Sequence, residues 1–334
     1  MEELLRALCG AEGTAGCEGR AAKTAAELLA RHCEVHVDPL GSVIGERPGP
    51  GPHILLDAHL DQIGMAVTEI LEGGFVRVTE VGRMDLRVLA AQEVLIHGRE
   101  AVLGVVPATP PHLSKDEDKA PDWESLCIDT GLAKEKAQAL ISLGSRVTLR
   151  TPPARLMGER FTSPALDDRS GMAAILRCME LLEDIDCRVT ALFSVQEETG
   201  GSGAQVAGFA SAPDCAIAVD VSFAAAPGID PVKAPGKLGG GAMIGVAPGL
   251  DYTMGEELAR LAQAREIPFS WEIMGGRTGT NADRLQSAGR GIPCALLSIP
   301  LRNMHTGAEV VDLRDIEAVA QLLAAYIKER GCRK

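Results

Sequence analysis

The amino-acid sequence predicts an α/β protein in which a mainly parallel sheet, covered by helices, is interrupted by a small β-barrel-like domain. Apolar strands alternate with helices after Pro152, which is typical of a parallel sheet. Between about residues 64 and 150 short alternating runs are separated by Gly, Pro and charged residues, which indicates a β-rich module. The sequence therefore predicts a main domain of residues 1–63 and 158–334 and an inserted domain of residues 64–157.

The individual elements are predicted from the periodicity of apolar residues. The first part of the main domain contains an amphipathic helix over 16–32 and an apolar strand that begins at His53. The runs of the inserted domain lie at 65–70, 74–81, 93–98, 101–106 and 146–150, with a polar insert at 110–126. The second part of the main domain contains helices over 170–185, 252–267 and 314–330 and strands over 188–195, 215–221 and 294–300.

Composition restricts the classes of partner. The formal net charge of -13 argues against nucleic acid or an anionic membrane surface, because both bind basic patches. No apolar run reaches the roughly 18–20 residues of a membrane span, and the first residues lack the features of a signal peptide. Nine cysteines are spaced without a C-x-x-C pair, which indicates reduced thiols and disfavours a cysteine zinc site. These features predict a cytoplasmic protein.

Polar side chains follow the predicted strands at the point where each strand ends. Because the carboxyl ends of parallel strands meet at one edge of a sheet, we expect these side chains to lie close together. Each of them alone could be a loop charge, a turn residue or a helix cap. The residues expected at this edge are His59, Asp61, Glu197, Glu198, Asp220 and His305, with Asp167 and Asp168 where a helix starts.

Histidine, aspartate and glutamate together form a donor set that suits a pair of divalent ions such as zinc, cobalt or manganese. His59 and Asp61 lie two residues apart, so on extended backbone Asp61 can orient the imidazole from behind. Glu197 and Glu198 are neighbours that point in different directions, so one can bind an ion while the other faces a water. Two ions about 3.5–4 Å apart need a bridging carboxylate, for which Asp167 is the candidate.

The segments "DAHLDQIG", "ALDDRSGMAA", "VQEETGGSGA", "AVDVS" and "RNMHT" occur in this order along the chain. Together they resemble the tetrahedral aminopeptidase family of dinuclear metallopeptidases, which includes glutamyl, leucyl and deblocking aminopeptidases and cellulase M. "PPHL", "IDTGL" and "GTNAD" are also similar to that family, so the resemblance covers nearly the whole chain. It implies a phosphorylase/hydrolase-like α/β/α catalytic domain with an inserted lid and dimerisation domain.

The resemblance also implies which residues bind the two ions. His59 and Asp220 would bind one ion, and Glu198 and His305 would bind the other. Asp167 would bridge both ions. Zinc and cobalt are the expected metals, with manganese as a further candidate.

The resemblance implies roles for the remaining candidates. Glu197 would be the general base, Asp61 would orient His59, and a cis peptide would join Asp167 to Asp168. The expected reaction is hydrolysis of the N-terminal residue from peptide substrates by a homo-oligomer, with a dodecamer as the common form in the family.

Four departures from the family pattern lie around the expected site. Two are segments, the glycine-rich "GGSG" after the glutamate pair and "AVDVSFAAAPGIDP" around Asp220, and two are single residues. Gln62 stands where an acidic residue is usual, and Asn281 stands where the family often has Asp. Both positions bear on specificity more than on the chemistry, because all candidate ligands and the base are retained.

Three other functions remain open at this level. A carboxypeptidase, dipeptidase or deacylase would need a cation for a free carboxylate, and the candidates are Arg169, Arg277, Arg284 and Arg302. Polysaccharide hydrolysis is disfavoured, since aromatic residues make up only 3% of the chain and sugar clefts usually offer aromatic platforms. A non-catalytic assembly protein that retains the fold is disfavoured because the site is complete.

Overall fold

Two β-sheets organise the chain in a computed structural model that describes residues 1–108, 110, 112, 122–183 and 185–332. Most of the predicted polar insert at 110–126 lies outside the described residues. The strands are β1 (Glu34–Val37), β2 (Val43–Arg47), β3 (His53–His59), β4 (Gly64–Ile70), β5 (Val76–Val81), β6 (Glu93–His97), β7 (Ala101–Val105), β8 (Cys127–Ile128), β9 (Arg146–Leu149), β10 (Ala154–Arg155), β11 (Arg160–Ser163), β12 (Arg188–Ser194), β13 (Cys215–Phe223), β14 (Ala242–Val246), β15 (Phe269–Ile273), β16 (Cys294–Arg302) and β17 (Glu309–Asp312).

The described part of the chain contains eight α-helices. They are α1 (Glu2–Cys9), α2 (Gly19–Leu29), α3 (Lys134–Leu140), α4 (Leu166–Leu181), α5 (Ser202–Ser211), α6 (Tyr252–Ala264), α7 (Ala282–Leu285) and α8 (Leu313–Cys332). Two short 3₁₀ helices lie at Glu72–Gly74 and Leu86–Val88. Within the described ranges, none of these helices has the length and apolar character that a membrane span requires.

The larger sheet has the strand order β1-β2-β12-β3-β13-β16-β17-β11-β10, with β14 paired to β15 and to β16. Its central strands β12, β3, β13 and β16 are parallel, so their carboxyl ends lie at one edge. Helices α1, α2, α4, α6 and α8 pack in the core on one face, and α5 and α7 pack on the other. The predicted α/β class, with helices on both faces of the sheet, is therefore confirmed.

The smaller sheet is antiparallel, with the order β7-β6-β9-β4-β5-β8. A bridge between Val105 and Asp129 links its two ends and brings it close to a closed barrel. It has its own core, which includes Met65, Val94 and Val147. The predicted β-barrel-like module is present, and the division of the chain at residues 63/64 and 157/158 stays a prediction.

The longer strands of the smaller sheet are predicted from the sequence, whereas several short elements are not. The predicted strands at 65–70, 74–81, 93–98, 101–106 and 146–150 correspond to β4, β5, β6, β7 and β9. Short helix α1 and the pair β14 and β15 were not predicted, because each is brief and its apolar pattern depends on partners far away in the chain.

Candidate metal centre

The carboxyl edge of the larger sheet brings the seven candidate residues together. His59 is the last residue of β3, and Asp61 follows it by two residues. Glu197 and Glu198 follow β12, and Asp220 lies near the end of β13. The remaining two are Asp167, at the start of α4, and His305, which follows β16.

Asp167 lies between the two histidines. Its Oδ1 is 2.9 Å from His59 Nε2, and its Oδ2 is 3.3 Å from His305 Nε2. The same His305 nitrogen is 3.3 Å from Glu198 Oε1. The donor atoms form two groups, each within 4.8 Å: His59, Asp167 and Asp220, and Asp167, Glu198 and His305. Asp167 therefore belongs to both groups through different oxygens.

Burial and charge shift the ionisation of this cluster. Burial alone would lower the pKa of His59, but its hydrogen bonds with Asp167 and Asp61 outweigh burial and raise that pKa well above its usual value. Burial, reinforced by the negative charge of Asp168, raises the pKa of Asp220. Burial, opposed by His59 and reinforced by Glu198, raises the pKa of Glu197 to about 7.

The donor set fits divalent cations. Buried carboxylates in and around the cluster outnumber the two histidines, and burying like charges together costs free energy unless cations compensate for it. Glu198 Oε1 is buried and faces the cluster, 3.3 Å from His305 Nε2. Imidazole nitrogens and carboxylate oxygens are ligands of zinc and of related ions.

Asp61 fixes the turn that carries the two glutamates. Its Oδ1 accepts a hydrogen bond from the Glu197 backbone N–H at 3.0 Å, and its Oδ2 accepts one from the Glu198 N–H at 3.2 Å. The His59 ring contacts the Asp61 main chain, with Nδ1 3.0 Å from the carbonyl oxygen, while the carboxylate lies 3.5 Å away. Asp61 thus positions both the histidine and the glutamate pair.

Glu309 is a functional candidate that sequence reasoning missed. This buried residue at the start of β17 accepts hydrogen bonds from the backbone N–H of His305 at 2.8 Å and of Asp167 at 3.1 Å. Its carboxylate therefore fixes two candidate ligands in the way Asp61 fixes the glutamates. The only signal was an acidic residue that begins the apolar run "EVV" four positions after His305.

The peptide between Asp167 and Asp168 is cis, as the resemblance implied. Asp168 accepts a hydrogen bond from the Gly171 N–H at 2.9 Å and so caps the regular part of α4. Asn281, one of the departures noted above, donates to Ser194 Oγ at 2.8 Å behind the site.

The cluster opens into a cavity of about 1020 Å³. Of the four arginines considered for carboxylate binding, Arg277 and Arg284 line this cavity. Arg169 is buried elsewhere and donates to the Ala11 carbonyl at 3.3 Å, and Arg302 donates to the Ala225 carbonyl at 2.7 Å. The cavity is large enough for several residues of a peptide.

Solved structures of other proteins share the fold of this chain over nearly their whole length. An aminopeptidase of the archaeon Desulfurococcus kamchatkensis superimposes with a TM-score of 0.93 at 32% identity, over 98% of this chain and 94% of that one. A peptidase of Pyrococcus horikoshii that can assemble into a tetrahedron or a large octahedral shell gives a TM-score of 0.86 at 29% identity, over 98% and 99%. The fold and the cluster of candidate metal ligands define a metal-dependent aminopeptidase, a hydrolase of peptide bonds.

Residues 41–322 match the family described as M42 glutamyl aminopeptidase, and the chain belongs to that family. The lysyl aminopeptidase of Pyrococcus furiosus is 34% identical over 302 residues, which cover 89% of this chain and 87% of that relative. The resemblance to the tetrahedral aminopeptidases is therefore confirmed. Membership also decides among the open functions in favour of an aminopeptidase.

Proposed function

We propose that the chain removes N-terminal residues from peptides with two divalent ions at the sheet edge. His59 and Asp220 would hold one ion, Glu198 and His305 the other, and Asp167 would bridge them. One observation carries this proposal: the two oxygens of Asp167 face two different histidines, at 2.9 and 3.3 Å. A carboxylate shared between two donor groups is what a two-ion site requires.

The reaction needs a base beside the attacking water. When bound, the ions supply Lewis-acid activation of the water and of the scissile carbonyl. Glu197 takes the proton from the attacking water and passes it to the leaving amine. It suits this role because its side chain lines the cavity beside the proposed ligand Glu198, and burial raises its pKa above the usual value of a glutamate, which favours proton uptake.

Two buried carboxylates hold the reacting groups in place. Asp61 fixes the backbone of Glu197 and Glu198, and Glu309 fixes that of His305 and Asp167. Holding ligands by hydrogen bonds to their backbone lowers the reorganisation that binding and catalysis require.

Zinc or cobalt is the proposed metal, with manganese as a further candidate, because the mixed nitrogen and oxygen donor set accepts all three. The proposed assembly is a homo-oligomer, and its support is the tetrahedral assembly of the Pyrococcus horikoshii relative and a related dodecamer. The proposed location is the cytoplasm, supported by singly spaced cysteines in the sequence.

Metal reconstitution tests the proposal. The purified oligomer is stripped with a chelator, reloaded separately with zinc, cobalt or manganese, and assayed on aminoacyl p-nitroanilides and their N-acetylated forms. We expect two ions per chain by elemental analysis, recovery of activity with at least one metal, and no hydrolysis of the acetylated forms. Saturation at one ion per chain, or equal hydrolysis of acetylated substrates, would contradict the proposal.

A further inference from the structure

Glu272 is a buried carboxylate in the cavity wall that the metal centre does not use. It lies on β15, its exposed fraction is 8%, and its side chain lines the cavity that contains His59 and Glu197. A buried carboxylate usually has a cationic partner, because the loss of hydration otherwise costs free energy.

Two serines hold this carboxylate close to the metal centre. Ser298 Oγ donates to Glu272 Oε2 at 2.7 Å, and Ser222 Oγ donates to Oε1. Ser298 lies directly beside Asp220 in the parallel register of β13 and β16. Glu272 is therefore one side chain away from a proposed ion ligand, on the wall of the same cavity.

Glu272 has no cationic partner among the residues that the structure describes. In the part of the chain that the structure describes, no lysine, arginine or histidine nitrogen lies within 4.0 Å of its carboxylate. The serine hydroxyls hold the Glu272 carboxylate in place by hydrogen bonds, but they do not neutralise its negative charge. The cationic residues that line the same cavity are exposed to solvent, namely Arg83, Lys233, Arg277 and Arg284.

Apolar side chains accompany the carboxylate. Ile273 is 79% exposed, Phe223 is 53% exposed, and both line the cavity with Met274. A wall with apolar surface and a buried acid complements a side chain that has a methylene stem and a cationic head.

We propose that Glu272 determines specificity for peptides whose N-terminal residue is lysine or arginine. This inference rests on the proposed function of the cavity, and it deepens that function by naming the substrate class. The substrate cation would form the ion pair that the protein itself does not supply. An N-terminal glutamate would place a second carboxylate against Glu272 and would be rejected.

The first test compares substrates on the wild-type, metal-loaded oligomer. We expect kcat/KM for lysine p-nitroanilide to exceed that for the methionine compound, which has a neutral side chain of similar length, by at least roughly tenfold. The glutamate compound should be the poorest of the three. A preference for methionine or glutamate over lysine would overturn the proposal without any variant.

The second test uses Glu272→Gln, which keeps the shape and removes the charge. The ratio of kcat/KM for lysine to that for methionine should fall by about tenfold or more, with most of the change in the lysine value. Glu256→Gln, an exposed position on α6, is the matched control and should leave the ratio unchanged. An equal loss on all substrates, with ion content and Tm unchanged, would show that Glu272 binds the α-amine instead and would overturn the proposal.

A binding measurement separates this inference from the proposed function. L-lysinamide should raise the Tm of the wild-type protein more than L-norleucinamide does, and Glu272→Gln should abolish that difference. If the protein hydrolyses none of the substrates yet shows this difference, the proposed function fails and the specificity of Glu272 stands. If it hydrolyses aminoacyl substrates but the two amides raise its Tm equally, the proposed function stands and the proposed role of Glu272 fails.

Discussion

Asp61 and Glu197 are joined by a hydrogen bond that crosses 136 residues of sequence, from the end of β3 to the turn after β12. The bond runs from the Glu197 backbone N–H to Asp61 Oδ1 at 3.0 Å, and the second oxygen of Asp61 holds the next backbone N–H. The glutamate pair is thus fixed by its main chain, and both of its carboxylates stay free to face the cavity.

Asp61→Asn should weaken ion binding. The amide has one acceptor oxygen, so its NH₂ group would face one of the two N–H donors and displace the turn. We expect the dissociation constant of the ions to rise roughly 10–100-fold, measured by competition with a chromophoric chelator. Asp85→Asn, a half-buried position beside the smaller sheet whose carboxylate pairs with Arg87, is the control, and equal affinity in both variants would refute the role of Asp61.

Glu197→Gln and Glu198→Gln should separate two losses. The first removes the base, so kcat should fall by about two to four orders of magnitude while the ion content stays at the wild-type level. The second removes a proposed ligand, so the ion content itself should fall. Elemental analysis and steady-state kinetics on the same preparations decide, and full activity of Glu197→Gln would show that another group is the base.

Gly203→Ala should destabilise the protein where α5 packs against the end of β12. A Cβ at this position would lie 2.5 Å from the Val195 carbonyl oxygen and 2.6 Å from its nitrogen, so α5 would move away from β12. We expect the free energy of unfolding to fall by about 1–3 kcal/mol, measured in urea. Gly19→Ala is the matched control, since a Cβ there meets no atom within 4 Å, and it should be neutral or slightly stabilising.

Asp312 should contribute a pH-dependent part of the stability. Burial alone would raise its pKa, but hydrogen bonds from Arg314 outweigh burial and lower that pKa below 3.8. A carboxyl whose pKa is lowered by folding stabilises the protein above its unfolded pKa, and this stability is lost as pH falls through the folded value. Asp312→Asn should therefore be less stable than wild type at pH 7, and the difference should shrink below about pH 4.

Urea unfolding at pH 7 and at about pH 3.5 checks this, with both proteins compared at each pH because other carboxyls titrate in the same range. Asp230→Asn, an exposed position, should show no such change. A difference that stays constant with pH would assign the effect of Asp312 to packing.

The sequence predicts that the site residues come together, because their convergence depends only on the shared edge of parallel strands. His59 and Asp220 lie at or near the ends of parallel strands, Glu197 and His305 follow such strands, and the carboxyl ends of these strands share one edge. Each apolar run locates one strand, and the polar residues at its carboxyl end are then expected at the shared edge.

Glu309 and Glu272 could not be predicted from local pattern. Each is important because of partners that lie far away along the chain, such as Ser222, 50 residues before Glu272, and Asp167, 142 residues before Glu309. The register of β14, β15 and β17 fixes those contacts, and short strands carry too few residues to reveal their register.

The spacing of the proposed ligands along the chain sets the order in which they leave a ribosome. His59 emerges first, Asp167 follows 108 residues later, and His305 follows 138 residues after Asp167. A growing chain consequently carries an incomplete centre until His305 has emerged, together with the strands β16 and β17 on either side of it. The two proposed ion sites are therefore complete only when the larger sheet is complete as well.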